Sequence, residues 1–597
     1  MKNKEFTTAM VGLPKINIIM NKTNRNTGKR CLRKTMKLLG AAFFILQSPI
    51  FFSCSDMLDT GSELVEFERD NTLDHPTDSV YSVMGIIGKM QVIADRTVLL
   101  GEARADLVAT TEAASSDLKE LAAFQVGNGN KYNAISDYYA VINNCNYYLA
   151  HVDTALQRRG RTLFTAEYAA VKAFRAWTYL QLAQAYGQVP LVTEPVMTEQ
   201  QARQAMEQER KGIVEICQYL INDLAPYADV DQPTFGEING YDSKMFFIPK
   251  KALLGDLCLW AGQYREAAQW YHDFLTDKKN PVHINYTNRA TWPNITEYTY
   301  PVSSYSTTNT LEMLSFIPME QRVFDGVVSD LENVFNSTNE NNYYFQLEPS
   351  IAMRQLSAAQ TYCTEQKTNT GTDTIYAPKQ GLQREILAGD LRLYANYTVS
   401  TSHRQDAYSE YGSTYQTINK IARRSVPTYR RSMVFLRYAE ALNRAGFPQT
   451  AFTILKYGIC QENIIAHVDT VEQASLGQLA SFDANIFPKE QTIGIHSFGA
   501  GDSHANEYYS LPQPTMTLPS RQDTLAYQTP LVEDMIIDEM ALEGAFEGYR
   551  FYDLMRIAMR RNDPSYLANA IARRTGERDD NLYSRLMDTN NWYLPLP

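Results

Sequence analysis

The sequence lacks the short motifs by which catalytic sites are commonly detected. It contains no HExxH pair, no GxSxG turn, no phosphate-binding loop and no dinucleotide fingerprint. Its 8 histidines show no metal-ligand spacing; His496, Asp502 and His504 come nearest, and their glycine-rich context indicates a loop. Carboxylates are too abundant for any one acid/base pair to be selected. We therefore expect a protein without catalytic activity, metal or cofactor.

Excess positive charge is missing as well. The chain has 56 Lys and Arg against 67 Asp and Glu, which gives a formal net charge of −11. Nucleic-acid binding requires a basic face that neutralises phosphates. Nucleic acid is therefore excluded as a class of partner.

Cysteine is scarce, at 7 in 597 residues, and no CxxC spacing occurs. Cys31 and Cys54 lie in or at the end of the amino-terminal leader, which leaves an odd number for the body of the chain. An odd number argues against a complete disulfide framework in an exported protein. Cys145, Cys217 and Cys258 fall on helical patterns, which predicts buried free thiols.

The amino terminus has the form of an export signal. A basic cluster at residues 30–37 precedes an apolar run at residues 38–52, which is too short for a stable membrane span. The run ends just before Cys54, which predicts a lipoprotein processing site with Cys54 as the lipidated first residue. We expect translation to start at Met36 and the lipid to anchor the protein to a membrane. The predicted boundaries are a leader at 1–53 and the lipidated cysteine with its tether at 54–77.

Two stretches of the body, residues 254–271 and 438–455, align with each other. Small residues recur at the same places in both, and a glycine-led turn separates two helical patterns in each. This spacing is typical of tetratricopeptide-like helix pairs, so we predict a mostly α fold on a tetratricopeptide-like scaffold. The matched positions are Gly255 and Ala439, Gly262 and Gly446, and Ala267 and Ala451.

No linker rich in Pro and Ser divides the body, which predicts a single α-helical domain at residues 78–597. Two irregular stretches rich in Tyr, Thr, Asn, Ser and Gly interrupt the helical pattern, at about 278–428 and 475–530. Loops mounted on a rigid scaffold commonly bear binding sites. We therefore expect the ligand to bind there.

Aromatic residues mark the first of these insertions, in a chain with 38 tyrosines. A ring can stack on the apolar face of a sugar while neighbouring Asn and Thr reach its hydroxyls. Alternatively, the rings fasten the long loops to the scaffold. The candidate ligand contacts are Tyr286, Trp292, Tyr298, Tyr300, Tyr343 and Tyr344.

Residues 531–561 form two helical patterns that meet at Gly548, with acids before the glycine and arginines after it. A buried glutamate needs a cationic partner, and we predict that Glu547 pairs with Arg550. We expect the motif to be architectural, without a ligand role. Its residues are Glu543, Glu547, Gly548, Arg550, Asp553 and Arg556.

With Ala545, Phe546 and Leu554, this motif resembles the E-L-A-F-E-G-x-R-x-x-D-L-x-R signature of the SusD/RagB family of outer-membrane nutrient-binding lipoproteins. Gly544 stands where that family usually has leucine. The residues after Cys54 resemble the family's C-S-D-x-L-D opening. The resemblance implies a SusD-like fold, display on the cell surface through a lipid on the outer membrane, and capture of glycan or, less often, peptide. It also implies a partner, a TonB-dependent transporter of the SusC type.

Two other interpretations stay open at this point. One is a surface glycosidase or peptidase built on a helical scaffold. The other is a tetratricopeptide-like assembly factor of the outer membrane that binds no small ligand. The extended aromatic loops favour ligand binding over the assembly factor.

Overall fold

The computed structural model describes residues 76–293, 301–309, 311–323, 326–338, 343–377, 389–402, 413–422 and 424–596. The predicted signal peptide, Cys54 and most of the tether lie outside these residues. The described residues belong to one compact unit of the chain.

Helices form most of this unit. Several begin at a side chain that caps the first turn: Ser115, Ser350 and Ser520 each accept a hydrogen bond from a backbone N–H two or three residues into the helix. The helices are α1 (Pro76–Glu102), α2 (Ser116–Ala123), α3 (Ile135–His151), α4 (Thr165–Tyr186), α5 (Glu199–Met206), α6 (Ile213–Leu224), α7 (Lys250–Ala261), α8 (Tyr264–Leu275), α9 (Leu331–Phe335), α10 (Ile351–Ala359), α11 (Arg392–Asn396), α12 (Arg431–Arg444), α13 (Pro448–Lys456), α14 (Gln461–His467), α15 (Thr470–Leu476), α16 (Ser497–Ala500), α17 (Arg521–Gly544), α18 (Arg550–Arg561), α19 (Pro564–Ala572) and α20 (Asp580–Leu586).

The long helices pack in a series. Contacts run from α1 to α3, then through α4, α6, α7, α8 and α12 to α13 and α17. In α4 nearly every side chain after its first turn is buried, because both sides of this helix face other helices. The hydrophobic core follows this series and continues under α17 and α18.

The repeated helix pairs that the sequence predicts are present as α7 with α8 and α12 with α13, so this prediction is confirmed. Gly262 ends α7 with a φ of 77°, and Gly446 has a φ of 93° at the equivalent turn; both values lie in the left-handed region that favours glycine. At Gly255 a Cβ atom would lie 2.5 Å from the ring of Tyr271. The small residue therefore permits the close approach of α7 and α8.

The strands are short, and those described pair two by two in antiparallel fashion. They are β1 (Val108–Thr110), β2 (Gln157–Arg158), β3 (Arg161–Thr162), β4 (Val189–Pro190), β5 (Arg210–Lys211), β6 (Glu237–Ile238), β7 (Tyr241–Asp242), β8 (Ala290–Thr291), β9 (Val302–Ser303), β10 (Met313–Pro318), β11 (Ser337–Thr338), β12 (Tyr343–Tyr344), β13 (Leu347–Pro349), β14 (Tyr362–Thr368), β15 (Gly371–Ala377), β16 (Tyr397–Ser402), β17 (Ser413–Ile418) and β18 (Ser425–Arg430).

Most of these strands belong to the first predicted insertion, where β8–β9, β11–β12, β14–β15 and β16–β17 form hairpins and β13 pairs with β1. The longest is β14 with β15, in register from Tyr362 opposite Ala377 to Thr368 opposite Gly371. Strand β10 instead pairs with β18, which brings the start of the insertion back to its end beside α12. The insertion thus leaves the helical series after α8 and returns to it at α12.

The five cysteines of the body are all free and buried, as predicted for those on helical patterns. Burial raises the pKa of the Cys145 and Cys258 thiols to about 12, so both are protonated at neutral pH. Among the helices that the structure describes, none combines the length and apolarity of a membrane span.

Candidate ligand-binding surface

Glu539, Glu543 and Glu547 are held by basic side chains from the insertion and from β18 at its end. Arg392 of α11 donates from Nη2 to Glu539 Oε1 at 2.5 Å and from Nη1 to Glu543 Oε2 at 3.1 Å. The same guanidinium binds Asp390, with Nη2 at 2.8 Å from Oδ2. Burial raises the pKa of Glu539, but the electrostatic interactions and hydrogen bonds with Arg392 and His496 together outweigh this effect and lower the pKa to about 2.

A second arginine, Arg430 at the end of β18, binds Glu547 and shares Glu543 with Arg392. Its Nε donates to Glu547 Oε2 at 2.6 Å, and its Nη1 donates to Glu543 Oε1 at 2.9 Å. Lys420 Nζ donates to Glu547 Oε1 at 2.6 Å. Burial raises the pKa of Glu547, but the charges of Arg430 and Lys420 outweigh this effect and lower it overall. The insertion is therefore fixed to α17 by buried ion pairs.

The predicted pair of Glu547 with Arg550 is wrong. Arg550 binds Asp106 instead, with Nε at 2.7 Å from Oδ1 and Nη2 at 2.8 Å from Oδ2. Gly548, with a φ of 92°, turns the chain between the two residues, so they meet different elements. A Cβ atom at Gly548 would lie 2.2 Å from the carbonyl oxygen of Thr97 in α1, which leaves room only for glycine.

The remaining motif residues also bind protein groups. Arg556 donates from Nη2 to Asp553 Oδ1 at 2.8 Å and to Glu440 Oε2 at 2.6 Å. Glu543, Arg550, Asp553 and Arg556 are all buried. Buried ion pairs of this kind fix helices against one another.

The two irregular stretches predicted to bear the ligand meet at Asp502. Its backbone N–H donates to Cys363 O at 2.9 Å, and its Oδ2 accepts from Thr364 Oγ1 at 3.1 Å and from the Glu365 N–H at 2.9 Å. Its Oδ1 lies 3.2 Å from Arg289 Nη1. One carboxylate therefore joins the loop before β8, the β14 strand and the stretch after α16.

Tyr508 lies beside this junction with 74% of its surface exposed. The Tyr376 ring of β15 meets it edge to face, with centroids 5.1 Å apart at 78°. Tyr376 is itself held, because its hydroxyl accepts from the Glu507 N–H at 3.3 Å. The exposed Tyr508 ring therefore packs on a Tyr376 ring that is itself held in position. We call the region the Tyr508 surface; its residues are Arg289, Glu365, Tyr376, Asp502, His504 and Tyr508.

Polar groups accompany the ring. His504 Nε2 lies 3.0 Å from Glu365 Oε2, and both side chains are substantially exposed. Hydroxyl-rich ligands are bound by such combinations of aromatic faces with carboxylate, imidazole and guanidinium groups. The geometry is therefore suited to a sugar or a polar peptide.

The structure separates the predicted contact residues. Tyr286 is 44% exposed and lies in a turn where Asn285 Oδ1 accepts from Thr287 Oγ1 at 2.8 Å. Trp292 is only 7% exposed, and its ring lies 5.7 Å from that of Tyr362, so in this position it fastens its loop to β14. Tyr298 and Tyr300 lie outside the described residues. Only the backbone of Tyr343 and Tyr344 is described, as β12.

Sequence reasoning missed Tyr508, although its setting in NEYYS has the composition used to nominate the other rings. The nearby histidines His496 and His504 bind different carboxylates. His496 is buried, with Nδ1 at 2.9 Å from Glu539 Oε2, and its ring stacks on Tyr509 at 3.8 Å. Within the part of the chain that the structure describes, no group of three His, Cys, Asp or Glu side chains is arranged to hold a metal ion.

Solved structures resemble this chain over most of its length. A SusD superfamily protein from Bacteroides vulgatus matches with a TM-score of 0.51 and 13% identity, covering 86% of this chain and 92% of its own. A SusD-like carbohydrate-binding protein from Bacteroides fragilis matches with a TM-score of 0.49 and 14% identity, covering 82% and 88%. No protein-family model and no curated protein matches the sequence. The likeness to the first of these structures confirms the predicted architecture: the chain has the fold of the SusD superfamily.

Proposed function

We propose that the chain is a cell-surface lipoprotein that binds glycan, or alternatively peptide, and delivers it to a TonB-dependent transporter of the SusC type without chemical change. The observation that carries the binding role is the Tyr508 surface. The export signal with Cys54 and the family signature support the location and the transporter.

The Tyr508 surface supports sugar binding through two features. The exposed ring offers a flat apolar face, on which the C–H groups of a pyranose can stack. The neighbouring His504 and Glu365 side chains can exchange hydrogen bonds with its hydroxyls. Because the Tyr376 ring and the Asp502 contacts hold this region in place, binding orders few additional groups and its entropic cost is small.

The same contacts favour binding over hydrolysis. A glycosidase needs two carboxyl groups facing each other across the bond to be cleaved. Both Asp502 oxygens are already engaged, one by Arg289 and the other by Thr364 and the Glu365 N–H. Glu365 and His504 are the groups that a catalytic alternative would have to use.

Calorimetric titration of the protein begun at Ser55 against polysaccharides, oligosaccharides and peptides tests the proposal. We expect one ligand class to bind, without product by chromatography. Tyr508→Ala should weaken it roughly tenfold, since loss of a stacked ring costs about 1.5 kcal/mol. The control is Tyr219→Ala, which removes an exposed tyrosine of α6. This helix packs on α4 and α7 and not on the hairpins of the insertion.

Other outcomes identify the alternatives. Product formation that is lost in His504→Ala or Glu365→Gln would establish a hydrolase. Absence of binding to every ligand, with capture of outer-membrane proteins, would support the assembly factor. Delivery to the transporter is tested by co-purification from membranes, and the anchor by the mass of the Cys54 peptide in the wild type and in Cys54→Ser.

A further inference from the structure

A cavity of about 540 Å³ lies at the start of α7, on the helical scaffold. Phe247 and Phe274 contribute apolar wall, and the chain at residues 228–234 closes one side. Its volume is within the range of small-molecule sites. None of its lining residues belongs to the Tyr508 surface.

Lys250 lines this cavity, and only 3% of its surface is exposed. Its Nζ donates to Gln232 Oε1 at 3.2 Å. Among the described residues, no carboxylate lies within the 4.0 Å that defines an ion pair with this Nζ. A buried ammonium without a counter-charge is costly, because desolvation is not offset by an ion pair.

The neighbouring lysines are already neutralised. Lys251 Nζ lies 2.7 Å from Asp229 Oδ1, and Lys279 Nζ lies 3.0 Å from Asp231 Oδ1. The remaining charged lining groups are Lys244, Lys250 and Asp277, of which Asp277 accepts from the backbone N–H of Lys279. The cavity therefore has one positive charge in excess, and Lys250 is the buried part of it.

The position of Lys250 at the first turn of α7 adds to the positive electrostatic potential at this end of the cavity. The helix begins after Pro249, which provides no side-chain cap. The first backbone N–H groups of a helix have no acceptor inside it and carry partial positive charge. An anion beside Lys250 would meet both contributions.

We propose that this cavity binds a small carboxylate-bearing molecule, whose carboxylate pairs with Lys250 Nζ while Phe247 and Phe274 contact its apolar part. The site is separate from the proposed glycan surface and does not depend on it. The ligand carboxylate takes the place of the ion-pair partner that the described residues do not provide for Lys250.

Burial lowers the pKa of Lys250 to about 8, against the weaker opposing effect of Asp231. The amine therefore carries its charge at pH 6.5 and has mostly lost it at pH 9.5. Carboxylate affinity should accordingly fall by roughly 30-fold between these pH values.

The test uses D-glucuronate and its neutral counterpart D-glucose as probes, in calorimetric titrations of the protein begun at Ser55. We expect glucuronate to bind more tightly than glucose and to lose affinity as pH rises from 6.5 to 9.5. Lys250→Met should weaken glucuronate binding at least tenfold. Lys119→Met makes the same change of charge at an exposed lysine of α2 that does not line the cavity, and should weaken binding less than threefold.

A measurement on the unaltered protein guards against misfolding of the variant. Acetylation of Lys250 Nζ by acetic anhydride, followed by mass spectrometry, should slow when glucuronate is present and stay constant with glucose. Absence of glucuronate binding, equal binding of glucose, or wild-type affinity in Lys250→Met would each overturn the proposal. The effect of Lys250→Met on glucuronate affinity should be the same in the Tyr508→Ala background, which separates failure here from failure of the proposed function.

Discussion

Replacement of Arg430 by methionine tests the ionic core that fixes the insertion to α17. The side chain is fully buried, and its guanidinium binds Glu312, Glu543 and Glu547. Methionine fills much of the same space but leaves these carboxylates without that cation. Removing one partner of a buried ion pair commonly costs 3–5 kcal/mol, roughly, because the other charge stays desolvated.

The contacts that survive limit the loss. Glu547 keeps Lys420 at 2.6 Å and Glu543 keeps Arg392 at 3.1 Å, whereas the Glu312 carboxylate keeps, among the described residues, its bonds with Ser432. We therefore expect Arg430→Met to lower the free energy of unfolding by about 4 kcal/mol. Urea titration followed by far-ultraviolet circular dichroism measures this difference.

The control is Arg203→Met on α5, where an exposed ion pair with Glu199 is broken. Exposed pairs contribute little, so this change should cost less than about 0.5 kcal/mol.

Arg430 contributes to the lowered pKa of Glu547. A lowered folded-state pKa stabilises the protein above the unfolded value of 4.5, and this stabilisation is lost as pH falls through the folded value. The difference between wild type and Arg430→Met should therefore shrink below pH 4.5. Equal stability of the Arg430 and Arg203 variants at pH 7 would refute this reasoning.

Three further predictions concern single positions. Burial raises the pKa of Glu102 from 4.5 to about 7, so between these pH values the folded state retains a proton that the unfolded state loses. The free energy of unfolding of the wild type should therefore fall relative to that of Glu102→Gln as pH rises, by up to roughly 3 kcal/mol. Urea titrations at pH 4.5 and 7.5 measure this change. Gly548→Ala should lower the free energy of unfolding by about 3 kcal/mol or more, because its Cβ atom would collide with the backbone of α1. The control Gly240→Ala, with a φ of 85° but open space around it, should cost about 1 kcal/mol. Equal melting temperatures of the two variants would contradict the close approach of Gly548 to α1. Trp292→Ala should cost about 3 kcal/mol in unfolding free energy because its ring is buried, while the exposed Tyr286→Ala should cost little; the reverse order would contradict the described packing.

The helix pairs could be predicted because their determinants are local. A glycine at a left-handed turn recurs in both 18-residue stretches, at Gly262 and Gly446, and in the first stretch the small residue Gly255 faces the Tyr271 ring. The turn at Gly548 could be anticipated for the same reason. Local sequence fixes such features whatever packs around them.

The partners of the motif could not be predicted in this way. Glu547 and Arg550 are close in sequence, yet their partners Arg430 and Asp106 lie 117 and 444 residues away. Such pairs depend on how the insertion returns to α12 and how α1 packs on α18. Only the folded chain supplies this information.

The aromatic candidates illustrate the same limit. Composition pointed to the two irregular stretches, and the structure joins them at Asp502. Composition could not distinguish a ring that packs inward, such as Trp292, from one that is exposed to solvent, such as Tyr508, because both lie among the same kinds of polar residue. Long-range contacts with β14 and β15 decide between the two.

Hydrogen exchange with and without the oligosaccharide found by calorimetry tests the central claim most directly, because it locates the bound ligand. The account predicts slower exchange in peptides covering residues 362–377 and 501–509, and unchanged exchange in α6, the control helix that carries Tyr219. It also predicts that Tyr508→Ala reduces this protection at a ligand concentration near the wild-type dissociation constant, without altering exchange in the ligand-free protein. Protection confined to the helical scaffold, with residues 362–377 and 501–509 unaffected, would contradict it.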